Sequence, residues 1–166
     1  MANKTNFTSQ EWTKVLESVV LVGMAVSAAD PNGFWGLTKE AFAGRSALIA
    51  SKHDGRSNEL IKTVISEFES KEGRSVVLEA LHKRFNGSET ADILQRSLDD
   101  LREVSAVLDA KAPHDAPAFK ILLLSIGQKV AEASMEHSVL GFGGVLVSDA
   151  EKATLSAIAT ALGTEA

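Results

Sequence analysis

Two helix-initiation signatures bracket the chain, and they constrain its fold more than any other feature. Thr8-Ser9-Gln10-Glu11 lies near one end and Ser148-Asp149-Ala150-Glu151 near the other. In each, a hydroxyl at the N-cap can accept the N–H three residues on. The glutamate can reach back to the cap's own N–H. The stop signals between them also belong to helices. Asp30-Pro31-Asn32-Gly33 and His53-Asp54-Gly55 break helical runs, because proline disfavours helix at the residue before it and Asn-Gly favours a turn. Asn86-Gly87 and Gly163 stand where glycine ends a helix. Pro113-His114-Asp115-Ala116-Pro117 is a linker short enough to join packed helices rather than separate domains.

These signals divide the chain into about seven helices. The first runs from the Thr8 cap to about Ala29. The second starts near Thr38 and carries Ala41, Phe42, Leu48 and Ile49. Ser57 caps a third, with Leu60, Ile61, Val64, Ile65 and Phe68 on one stripe. Ser70 or Gly73 begins a fourth, with Val77, Leu78, Leu81 and Phe85. Ser88 caps a fifth, in which Leu94, Leu98, Leu101 and Leu108 oppose Asp92, Arg96, Asp99, Arg102 and Glu103. A sixth spans Ala116 to His137, and the last ends at Leu162. No segment alternates convincingly with period two, and there are only 3 prolines. The expectation is an all-α fold, a compact bundle. Residues 1–8 read as a polar tail and 9–163 as one helical domain, a usual size for a chain of 166 residues.

The first and sixth helices are apolar nearly all round in their middles, which predicts that they sit at the centre. Each carries a glycine there, Gly23 and Gly127. Glycine inside a helix costs about 1 kcal/mol relative to alanine. Either the two backbones approach closely or the residues are simply tolerated.

Composition narrows the functional classes. With 0 cysteines, disulfides, thiolate metal sites and cysteine nucleophiles are excluded. The formal net charge is −5, and lysine and arginine are scattered. A nucleic-acid partner would call for a basic face, and its stacking platforms for more aromatics. Met1 to Glu11 has no apolar core behind a basic start, so no signal peptide is expected. The apolar runs Val19–Ala29 and Phe119–Ile126 are shorter than the ~20 residues that span a bilayer. A cytoplasmic protein, not membrane-spanning, is the expectation.

The two ends of the chain echo one another. Gly23, Val26 and Ala29 have the spacing of Gly127, Val130 and Ala133. A loop with glycine and phenylalanine follows each set, Gly33-Phe34-Trp35-Gly36 and Gly141-Phe142-Gly143-Gly144, and then another helix. A weak internal repeat would put both aromatic loops at one end of the bundle.

The stretch from Ala131 to Gly163 resembles the tellurite-resistance TerB-like helical family. The likeness lies in a small-residue helix, a glycine loop and the helix start Val147-Ser148-Asp149-Ala150-Glu151, with Leu155, Ile158 and Leu162. It covers roughly a quarter of the chain and implies a helical fold. The family pattern favours Asp-Gly after the first helix of such a unit, where this chain has Glu136-His137-Ser138. Asp30 lies nearer the expected place in the first half, although Pro31 follows it.

Candidate functional residues fall in two groups. Phe34, Trp35, Phe142 and Val145 are apolar residues in connecting loops, which run over the surface. They form either a lid folded back on the bundle or a contact patch for a protein partner or a second copy. By elimination, the leading expectation is a non-enzymatic interaction or accessory protein without a cofactor. The alternative is a TerB-like or ferritin-like metal- or ligand-binding protein. Its candidate ligands are Glu79 and His82, at the Glu-x-x-His spacing that lets two side chains of one helix reach one metal, and Asp30. A solvated helix face beside Lys83 and Arg84 accounts for the same residues. The Gly141–Gly144 loop lacks the lysine and hydroxyl of a phosphate loop. No catalytic triad is recognisable.

Overall fold

The structure, a computed structural model, describes residues 1–29, 48–50, 57–135 and 147–164. Among these residues there are α-helices, one short 3-10 turn at Lys4–Asn6 and no strand. The helices are α1 (Ser9–Ala29), α2 (Glu59–Glu69), α3 (Lys71–Phe85), α4 (Thr90–Lys111), α5 (Ala116–Met135) and α6 (Asp149–Leu162). Residues 48–50 are also helical, where the sequence predicts a second helix. The rest of that expected helix lies outside the described residues. The all-α bundle read from the sequence is what the chain forms.

Both capping boxes are made. The Thr8 N–H donates to Glu11 Oε2 at 2.7 Å, and the Glu11 N–H donates to Thr8 Oγ1 at 3.2 Å. Ser148 and Glu151 repeat the exchange at 2.9 and 3.2 Å. Gly163 ends α6 with φ 66°, a left-handed position that glycine adopts without a Cβ penalty. Phe7 stands just before the first cap and Trp12 four residues into the helix; their rings lie 5.7 Å apart. This is a hydrophobic staple. It draws the residues ahead of α1 onto the bundle, so Ala2 and Phe7 join the core although the region reads as a polar tail.

Two caps differ from the sequence reading by a residue or two. Asn58, not Ser57, caps α2 by accepting the Ile61 N–H at 3.0 Å. Its amide also donates to the Asp115 carbonyl at 3.0 Å, which ties the start of α2 to the residue before α5. At α4 the N-cap is Glu89, with no side-chain cap bond. Ser88 instead donates its N–H to the Phe85 carbonyl, closing the turn after α3.

Ion pairs show how the helices run. Glu11 meets Lys111, Lys14 meets Glu103, and Glu17 and Asp100 share Arg84. As numbers rise along α1 they fall along α4, so these two helices are antiparallel. By contrast, the Ala2 N–H donates to Asp115, just before α5, while Gly23 lies beside Val130. Thus α1 and α5 run in the same sense.

α1 packs against α3, α4, α5 and α6, and Val15, Val22 and Ala25 are wholly enclosed. It is long and apolar enough, by length and composition alone, to cross a bilayer, and the apolar run Val19–Ala29 is only its second half. Here 61% of that window is buried inside the bundle, as in a core helix. α5 is less enclosed. Phe119, Leu123 and Ile126 are buried against the core, but Ile121 on the far side is 52% exposed.

The glycines in the middles of α1 and α5 separate clearly. A Cβ on Gly127 would stand 2.8 Å from Val22 Cγ1 and 3.1 Å from Leu155 Cδ2. Among the described residues, one on Gly23 would meet only Val130 Cγ2, at an ordinary 3.6 Å. Close approach therefore explains Gly127, and Gly23 is tolerated.

Candidate functional site

The sequence-derived loop residues Phe34, Trp35, Phe142 and Val145, and the candidate ligand Asp30, lie outside the described residues. Their anchoring points are described. α1 ends at Ala29 and α5 at Met135, and the two segments begin from those points. Because α1 and α5 run in the same sense, both departures are at one end. Val147, the first described residue after the second segment, is 8% exposed and part of the core.

Glu79 and His82 stand one turn apart on α3, and both are exposed. Among the described residues, no group of three or more His, Asp or Glu side chains could hold a metal ion. The same helix exposes Val76 and Leu78, at 56% and 55%. Two residues apart on a helix means about 200° around its axis. They therefore flank the buried stripe of Val77, Leu81 and Phe85 on opposite sides and do not form one patch.

The most unusual chemistry lies inward. Glu17 is a carboxylate in the middle of α1, only 5% exposed. Arg84, from the last turn of α3, donates through Nη2 to Glu17 Oε2 at 2.9 Å. The same Nη2 lies 3.1 Å from Asp100 Oδ2 on α4. Arg84 Nε is buried without a partner among the described residues. The guanidinium also lies over the Phe85 ring at 5.2 Å, and Arg96 of α4 over the same ring at 4.8 Å. Three helices thus meet on one arginine. Lys14 of α1 and Glu103 of α4 pair with each other at the rim.

Burial pushes Glu17 above its ordinary carboxyl value, with Arg84 pulling the other way. Asp100 is raised as well, again chiefly by burial and against Arg84. Taking a carboxylate out of water disfavours its charged form, and one guanidinium shared between two carboxylates does not offset that loss. Other buried polar groups have structural roles. The Lys120 ammonium spans both oxygens of Asp109 at 2.7 and 2.8 Å, tying α5 to α4. Buried Asp115 holds the Ala2 N–H.

The sequence reading treats Arg84 as part of a solvated face with Lys83. Lys83 is exposed, but Arg84 turns inward. The signal was present in α1: Glu17 interrupts Val15-Leu16-Glu17-Ser18-Val19 on a helix read as central. A carboxylate on such a helix needs a cation. Which cation answers it depends on how α3 crosses α1, and no local pattern encodes that.

No family model matches this chain, and neither the curated proteins nor the solved structures contain a match to it.

Proposed function

We propose that this chain is a non-enzymatic interaction or accessory protein. It contacts a protein partner, or a second copy of itself, through the apolar segments that carry Phe34, Trp35, Phe142 and Val145. One observation carries the reading. α1 and α5 run in the same sense, so the two aromatic segments start from the same end of the bundle. Segments that start together can act as one surface, and buried aromatic anchors dominate the energetics of such surfaces.

The test compares wild type with a Trp35→Ser, Phe142→Ser double variant by native mass spectrometry of protein purified from its own host. Wild type is expected as a defined oligomer or complex. The variant should be a bare monomer that melts at the wild-type temperature. A variant that unfolds would assign the aromatics to a lid over the core and overturn the proposal, as would a wild type that is itself a bare monomer.

A further inference from the structure

We propose that the Glu17–Arg84–Asp100 cluster is a proton-operated latch on α3, holding that helix more firmly against α1 and α4 as the pH falls. α3 buries only Val77, Leu81 and Phe85, a thin apolar stripe for a helix of 15 residues. Among the described residues, its ion-pair attachment to α1 and α4 is Arg84, whose Nη2 touches one carboxylate on each of those helices. With both carboxyls ionised, the enclosed group holds two negative charges and one positive charge.

The surrounding charges are committed elsewhere or to both sides. From α1, Lys14 faces the cluster but is paired with Glu103. From α4, Arg96 lies over Phe85 and Glu103 opposes it in sign. From α3, Arg84 is the cation in contact. One proton on either carboxyl would leave a matched pair.

The direction of the response follows from what changes when α3 lifts away. Glu17 and Asp100 then meet water and return to ordinary carboxyl values. In the docked state both are raised, with burial outweighing Arg84. The docked state therefore binds the proton more tightly, and proton uptake favours docking. The gain appears as pH falls through the raised values and is absent well above them. Had attraction to Arg84 won, both values would be depressed and acid would release the helix.

Hydrogen–deuterium exchange of the intact protein tests this, in the regime where exchange reports the opening equilibrium. After correction for intrinsic rates, α3 protection should rise between about pH 7.5 and about pH 5. Each unit by which a carboxyl is raised gives up to about tenfold fewer openings. Amides of α5 serve as the reference and should change little. Glu17→Gln imitates the protonated carboxyl, so at the higher pH its α3 should already be protected more than wild type, with a weaker pH response. Asp100→Asn gives the same reading if the first variant does not fold. Flat α3 protection, protection that falls in acid, or an equal rise in α5 each overturns the latch.

Discussion

The same substitution, glycine to alanine, should have opposite signs at two positions that look alike in the sequence. At Gly23 the new methyl would touch Val130 Cγ2 at 3.6 Å, an ordinary van der Waals contact. The helix then gains about 1 kcal/mol of propensity without strain. At Gly127 the methyl would stand 2.8 Å from Val22 Cγ1 and 3.1 Å from Leu155 Cδ2. Val22 is wholly buried, and a β-branched side chain in a helix has essentially one rotamer, so it cannot swing aside. Overpacking of this kind costs about 1–3 kcal/mol. Subtracting the propensity gain leaves a net loss of about 1 kcal/mol. The two variants should then differ by about 2 kcal/mol, which in a chain of this size separates their melting temperatures by about 4–8 °C. Thermal melts and urea midpoints of both variants measure it. If Gly127→Ala proves as stable as Gly23→Ala, α1 and α5 can part at no cost and the close-packing argument fails.

Two further substitutions test other parts of the structure. Ser148→Ala removes the hydroxyl that accepts the Glu151 N–H; it should cost about 1 kcal/mol and lower the melting temperature by about 2–4 °C. Arg84→Met leaves Glu17 and Asp100 buried without their shared cation, which should cost about 3 kcal/mol near neutral pH. Losing that cation raises both carboxyl values further, so in the folded state protons bind more tightly than in the unfolded chain. Stability should partly return as pH falls through those values, and urea midpoints at about pH 7 and about pH 5 would show it. A deficit equal at both pH values would mean that the loss is one of packing alone.

The elements of this fold were legible where a local interaction specifies them. The boxes at Thr8–Glu11 and Ser148–Glu151 involve residues three apart, so the sequence carries both partners together. The stripes of α2 and α4 are likewise local, because their period is that of the helix. Leu78 is the instructive failure. It fits the spacing of Val77 and Leu81 yet is 55% exposed, because α3 lies at the margin and buries a narrower arc than a central helix. The inward turn of Arg84 was illegible for the same reason. Its partners lie 67 residues before it and on the next helix, and only the crossing of three helices brings them together. Gly127 was half legible: its cost is local, but the reason for bearing it belongs to Val22 and Leu155.

The corner between α2 and α3 has a consequence for how this chain can vary. Ser70 ends one helix and starts the next, with its hydroxyl donating to the Glu67 carbonyl and accepting the Gly73 N–H. Arg74 reaches back to the carbonyls of Phe68 and Glu69. A side chain on Gly73 would run into the Glu67 carbonyl. The joint has no slack. One residue inserted between Glu67 and Arg74 would undo the end of one helix and the beginning of another in a single step. At Asn86-Gly87, where a Cβ on the glycine would meet none of the described residues, added length should be absorbed far more easily. Relatives of this chain should therefore differ in length after α3 and keep the spacing before it.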